Sequence, residues 1–221
     1  VQGGYTLSAD LRIEAGKVTA VIGPSGAGKS TLLGGIAGFV AQRLGSLSWN
    51  GADITDLPPH ERPVSILFQD NNLFPHLTVL QNVALALGSR LNPTGVVQNR
   101  VEDMLARVGL EDLATRKPAA LSGGQQSRAA LARALLQERA IMLMDEPFSA
   151  LGPGMKAEML DLSVELAQAA GRTVVMVTHD PADAARVADA VIGVVAGEAW
   201  EPIETAQFLN VPPAPFINYL G

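Results

Sequence analysis

The chain has 221 residues, no cysteine and a formal net charge of −6 at pH 7. That length suits one domain with a sizeable core, and the missing cysteines exclude disulfides and thiolate metal sites, as suits a reducing compartment. The acidic balance argues against nucleic acid as the main partner, because a phosphate backbone calls for a basic footprint, and no apolar run approaches the ~18 residues that span a bilayer.

Near the amino end, Leu7 to Ile13 and Leu47 to Trp49, the latter closed by Asn50-Gly51, predict a small antiparallel flank. Between them, Val18 to Ile22 reads as a buried strand, and Thr31-Leu32-Leu33 opens a helix. The intervening Gly23-Pro24-Ser25-Gly26-Ala27-Gly28-Lys29-Ser30 fits the pattern G-x-x-x-x-G-K-[ST]. Glycines let such a loop curl so that successive N–H groups and the helix start form a concave anion site. In that motif Lys29 reaches the β- and γ-phosphates and Ser30 ligates Mg²⁺. A strand over Val64 to Phe68 closes on Gln69, followed by the irregular Asp70-Asn71-Asn72.

From about Leu73 to Ala120 strand patterns vanish and helical ones take over. Then comes Leu121-Ser122-Gly123-Gly124-Gln125. Ser122 and Gln125 form a capping box before a helix over Gln126 to Glu138, which by itself explains both. Two glycines in the first turn are poor helix formers, costing about 1 kcal/mol each in a helix interior and less at an end. They point to close approach of something to the backbone.

The run Ala140 to Met144 reads as a buried parallel strand ending in Asp145-Glu146-Pro147. Carboxylates at the carboxyl end of such a strand lie where open α/β sheets bind ligands. Asp145 there suits a Mg²⁺ shell and Glu146 a general base; the bland alternative is an acidic turn. A further β-branched run, Thr173 to Thr178, ends at His179, on the same side as the two carboxylates. Together with an apolar run at 191–195, these strands alternate with helical patterns, which predicts a parallel sheet with crossover helices. Val211-Pro212-Pro213-Ala214-Pro215 is expected to pack as an extended tail.

This order of motifs resembles the ATP-binding subunits of ABC transporters over nearly the whole chain. The resemblance implies an α/β P-loop NTPase of ABC type, with a mainly parallel sheet, a small antiparallel flank and a helical insert. Residues 1–72 and 121–221 would form the core, and about 73–120 a helical subdomain that docks on a transmembrane partner. By the same likeness residues 23–30 are the Walker A loop, Gln69 the Q-loop glutamine and 121–125 the signature motif. Asp145 and Glu146 match the Walker B pair, Ser149-Ala150-Leu151 the D-loop, and His179 the switch histidine.

The implied cofactors are ATP and Mg²⁺. Gly23 to Thr31, with Ser122, Gly123, Gly124 and Gln125, would bind the nucleotide; Ser30, Gln69 and Asp145 would hold the metal. Lys29, Gln69, Glu146 and His179 would serve catalysis. The family implies a head-to-tail dimer with a second copy, in which each ATP lies between one Walker A loop and the other subunit's signature motif. It further implies transmembrane permease subunits, an indirect link to a periplasmic binding protein, and a place on the cytoplasmic face of the bacterial inner membrane. Within the family, residues 62–78 look most like thiamine import ATP-binding proteins. Two other functions stay open at this level: a soluble ABC-type switch on nucleic acid or ribosomes, and a regulatory subunit with little turnover.

Three positions depart from the family pattern. The D-loop continues into Gly152-Pro153 where relatives carry aspartate, which predicts slower or less coupled turnover. The amino end begins Val1-Gln2-Gly3-Gly4 and offers only Tyr5 for stacking on adenine, as a truncated start would. After the signature, Gln126-Ser127 replaces the usual arginine and glutamine, although Arg128 still matches.

Overall fold

Five apolar runs form the central strands, because each is rich in residues that need burial on both faces. The computed structural model describes residues 6–88 and 91–220; Tyr5 lies outside them. After β1 (Ser8–Ala9) comes β2 (Val18–Ile22), buried at every position, and then α1 (Lys29–Ala37). β3 (Ser48–Trp49) and β4 (Ala52–Asp53) form a separate hairpin whose turn residues, Asn50 and Gly51, have φ of 49° and 79°. That is the left-handed pair an Asn-Gly hairpin turn needs.

β5 (Val64–Leu67) precedes a stretch in which the described residues form only helical elements: α2 (Val79–Ala84), α3 (Val96–Arg107) and three 3-10 turns. α4 (Gly123–Leu136), β6 (Ile141–Asp145), α5 (Pro153–Ala169), β7 (Thr173–Val177) and α6 (Pro181–Val187) follow. β8 (Ala190–Val195), β9 (Glu198–Ala199), β10 (Ile203–Glu204), α7 (Thr205–Asn210) and α8 (Ile217–Leu220) complete the order.

The main sheet runs β1-β9-β8-β2-β7-β6-β5, with β10 also paired to β8. Its centre, β8-β2-β7-β6-β5, is parallel throughout. Side chains of successive residues leave opposite faces, so each strand feeds two cores. Met142, Met144, Val174 and Met176 pack with α4 and α5 residues on one side; Leu143, Val175 and Val177 pack with Leu32, Leu33 and Ile36 of α1 on the other. Full burial of one such side chain contributes about 1.5–3 kcal/mol.

Three local differences separate the structure from the sequence patterns. Only Ser8–Ala9 of the 7–13 segment is strand, and it pairs in parallel with β9 rather than with the 47–49 hairpin. The tight β8–β9 turn creates that edge, and the Ser8 N–H donates to the Gly197 carbonyl there. α4 starts at Gly123, three residues before the apolar periodicity begins, because the Ser122 cap acts at the glycines. The proline-rich end is not wholly extended: Ala214–Phe216 makes a 3-10 turn that leads into α8 and leaves Phe216 fully buried.

Candidate functional site

Register brings the site together. Val21 of β2 lies opposite Val177 of β7, which in turn lies opposite Asp145 of β6, and Leu67 of β5 lies opposite Met144. The four parallel strands therefore release their chains along one edge, with neighbours about 4.8 Å apart. The 23–31 loop, His179, Asp145 with Glu146, and Gln69 leave that edge in lateral order. Residues spread over more than 150 positions of sequence become neighbours for this reason alone.

Within the loop, Gly26 and Gly28 have φ of 78° and 109°, a region open mainly to glycine. Gly23 is glycine for another reason, because a Cβ there would fall on the Val194 carbonyl oxygen of β8. Lys29 is buried, and its Nζ donates to the loop's own carbonyls at Gly23 (2.8 Å) and Pro24 (3.0 Å). That ammonium is thus already aimed at the space the loop encloses. Burial pushes its pKa down, against the pull of the Glu146 and Asp145 carboxylates.

Ser30 at the start of α1 donates its hydroxyl to Asp145 Oδ1 at 3.3 Å. Burial pushes the Asp145 carboxyl up; the Ser30 hydrogen bond opposes this and the Glu146 charge adds to it. Two carboxylates therefore share a half-desolvated site with a single lysine. A hydroxyl and a carboxylate side by side, with surplus negative charge, fit a hard divalent cation that prefers oxygen ligands.

The Glu146 backbone is left-handed at φ 44°, as is Phe148 at 64°. Such conformations cost of order 1–3 kcal/mol each outside glycine and persist only when the surroundings hold them. The Glu146 N–H is held by the Val177 carbonyl at 3.0 Å, which turns the side chain toward β7. There its Oε2 lies 3.2 Å from His179 Nδ1. The imidazole is 60% exposed. Gln69 lies beside this group but is turned to the connection after β6, with its amide donating to Ser149 Oγ at 3.2 Å rather than bonding Ser30 or Asp145.

Ser122 and Gln125 complete both halves of the capping box at the head of α4. The glycines between them face the next connection in the chain: a Cβ on Gly123 would sit 3.5 Å from Leu151, and one on Gly124 would overlap Met155 Sδ. Part of the close approach expected at these glycines is thus made within the chain. Gly152 is the N-cap of α5 and Pro153 occupies its first turn, as their residue types require.

Other contributors escaped the sequence patterns. Lys156 on α5 bonds Asp180 (3.1 Å) and Asp183 (2.7 Å), so it ties that helix to the segment carrying His179. Arg133 on α4 donates to the carbonyls of Asn72 (2.7 Å) and Asn71 (2.8 Å), both left-handed residues just beyond Gln69. These links join residues at least 24 positions apart, and a short motif carries no sign of them. An open groove of about 510 Å³ lies next to the Gln69 segment, lined by Phe68, Leu73, Phe74, Leu85 and Arg133 among others. Phe39 stacks on Phe68 at its side with ring centroids 6.4 Å apart, and Phe39, Phe68 and Phe74 are all solvent-exposed. Among the described residues no helix is long and apolar enough to cross a membrane.

A family model described as ABC transporter matches residues 7–149. The chain is 53% identical over 220 residues to the thiamine import ATP-binding protein ThiQ of Ruegeria sp. (strain TM1040), covering 100% of this chain and 95% of that one. It is 48% identical over 192 residues to ThiQ of Escherichia coli (strain K12), covering 86% and 83%. Among solved structures, a dimeric ATP-binding cassette in a post-hydrolysis state, bound to ADP and phosphate, aligns with TM-score 0.75 at 33% identity over 88% of each chain. The cbiO1 subunit from Clostridium perfringens, part of the cbiONQ transporter complex, aligns with TM-score 0.83 at 28% identity over 94% of this chain and 84% of that one.

Proposed function

The chain belongs to the ABC transporter family of ATP-binding proteins, and from that premise we propose that it is the ATP-hydrolysing subunit of an importer for thiamine or its phosphates. The observation that carries the proposal is the row of Lys29, Ser30, Asp145, Glu146 and His179 along one sheet edge, in a chain matched over its whole length by thiamine import subunits. The cargo itself rests on those relatives, because no part of this site has the chemistry to meet it.

In this mechanism the N–H groups of residues 26 to 31 cradle the phosphates of ATP, and Lys29 exchanges the Gly23 and Pro24 carbonyls for β- and γ-phosphate oxygens. Ser30 and Asp145 would hold Mg²⁺, and Gln69 would join them on giving up Ser149. Bound there, the metal supplies charge neutralisation of the phosphates. Glu146 takes a proton from the attacking water, and His179, already hydrogen-bonded to Glu146, orients it toward the γ-phosphorus. Ser122, Gly123, Gly124 and Gln125 of a second copy close over the nucleotide, so the catalytic unit is a head-to-tail dimer.

Residues 1–72 and 121–221 act as the core and about 73–120 as a docking lobe. The groove beside Phe68 and Phe74 receives a transmembrane permease subunit, and Arg133 carries motion between the Gln69 segment and α4. The protein then works peripherally, on the cytoplasmic face of the inner membrane, and meets a periplasmic binding protein only through the permease. Reconstitution with the cognate permease into vesicles tests this: ATP inside should drive uptake of labelled thiamine. ATP hydrolysis that is indifferent to thiamine and its binding protein, without uptake, would overturn the assignment.

A further inference from the structure

The switch histidine presents a problem of rigidity. Its ring is 60% exposed and, among the described residues, its side-chain hydrogen bond is to Glu146, so its aim depends on how firmly its backbone is held. From the following residue on, the loop is well tied. Asp180 accepts from the Ala182 N–H at 3.0 Å as the cap of α6 and bonds Lys156 at 3.1 Å. The carbonyl of His179 itself is held from elsewhere, by the Tyr219 hydroxyl at 2.9 Å, forty residues downstream.

Tyr219 has a firm base for this. Phe216, three residues earlier at the end of the 3-10 turn that leads into α8, is fully buried. It fits over Gly193 of β8, where a Cβ would come within 2.5 Å of its Cζ, and it packs against Trp200 and Phe208 at centroid distances of 5.6 and 5.2 Å. The tail is thus pinned to the strand beside β2, and the tyrosine reaches from there to the edge where the phosphate loop, Glu146 and His179 meet. Burial raises the Tyr219 hydroxyl above its ordinary pKa, and the Glu146 and Asp180 carboxylates nearby add to the effect. It therefore stays a neutral donor at physiological pH.

We infer that Tyr219 is a positioning residue for hydrolysis: its hydroxyl fixes the carbonyl of His179 and so the approach of that ring to Glu146 and the γ-phosphate. The segment from Phe216 to Tyr219 is then a buttress of the active site. This inference rests on the catalytic role proposed for His179.

Tyr219→Phe keeps the ring and removes only the donor. In the full chain kcat should fall about two- to tenfold, the worth of one hydrogen bond, with KM for ATP unchanged because Lys29 and its loop are untouched. Trapping of ADP with vanadate, a mimic of the transition state, should weaken by the same factor while the melting temperature stays near that of the parent. Equal kcat and equal vanadate trapping in the variant would overturn the inference, as would a loss of kcat matched by the same loss of ATP affinity. His179→Ala is measured alongside. If it hydrolyses ATP at the parental rate, the role given to His179 fails and the inference falls with it. If it is impaired while Tyr219→Phe is not, the buttress alone is refuted.

Discussion

Replacing Gly124 with alanine separates two demands on one position. The new Cβ would overlap Met155 Sδ and lie 3.4 and 3.5 Å from its Cε and Cγ, so the methionine has to turn aside. Met155 is 46% exposed and has room to do so. A forced rotamer costs about 0.5–1.5 kcal/mol, while alanine in place of glycine in the first helical turn regains up to about 1 kcal/mol. The net change lies within about 1 kcal/mol, and the melting temperature of a chain this size should move by less than about 4 °C. Turnover should behave differently. If the α4 start meets the phosphates of the other subunit's ATP, a methyl group there displaces a backbone donor, and loss of one such donor lowers kcat by about 10²–10³. The double variant Gly124→Ala/Met155→Ala removes the overlap while keeping the new methyl. Calorimetry and steady-state ATPase rates on both variants decide the matter. Inactive, stably folded protein in both supports a ligand-facing glycine; parental turnover in the double variant would refute it and make Gly124 a packing residue.

Glu146→Gln should retain ATP binding and form an ATP-dependent dimer by light scattering while hydrolysis falls at least a hundredfold, as loss of a general base implies; full turnover would remove Glu146 from its role. Lys29→Ala should abolish tight nucleotide binding, measured by calorimetric titration, since its ammonium faces the loop's enclosed space. Gly152→Asp should fold readily, because a Cβ at Gly152 meets nothing within 4 Å and aspartate is the better N-cap; faster or better coupled turnover is expected, and an unchanged rate in reconstituted transporters would show that Gly152 does not limit turnover. Lys156→Met strands the nearly buried Asp183 and should cost about 3 kcal/mol, or roughly 6–12 °C in melting temperature. For Asp180, burial opposes the charge, but the Lys156 bond and the Ala182 N–H outweigh it and depress the pKa. Its share of stability is therefore present above the ordinary aspartate pKa and lost as pH falls through the lower native value. For Lys156, burial is outweighed by Asp183 and Asp180, which raise the pKa, so that share is complete below the ordinary lysine pKa and lost only as pH rises through the native value. The gap between parent and variant should accordingly be flat between about pH 5 and 9 and narrow outside that range.

Much of the site could be read one-dimensionally because its parts are local. A phosphate loop needs glycines at set spacings, a cap needs Ser122 and Gln125 three residues apart, and a buried strand declares itself as an apolar run with Asp145 at its end. Each of these constraints acts within a few residues, so composition and spacing carry it. What Leu7 to Ile13 would pair with was beyond such signals. An edge strand takes whichever partner the fold leaves open, and here that is β9.

The amino-acid sequence by itself thus determined the parallel α/β architecture and the chemical identity of nearly every group at the sheet edge. Tertiary structure decided their order and support: the in-register stacking of β2, β7 and β6, the left-handed turn of Glu146 toward His179, and the grip of Lys156, Arg133 and Tyr219 on the surrounding loops. The physical reason is contact distance along the chain. Hydrogen-bond partners separated by tens of residues leave no period, cap or turn in the sequence, and they meet only once the sheet has closed and its two cores have packed.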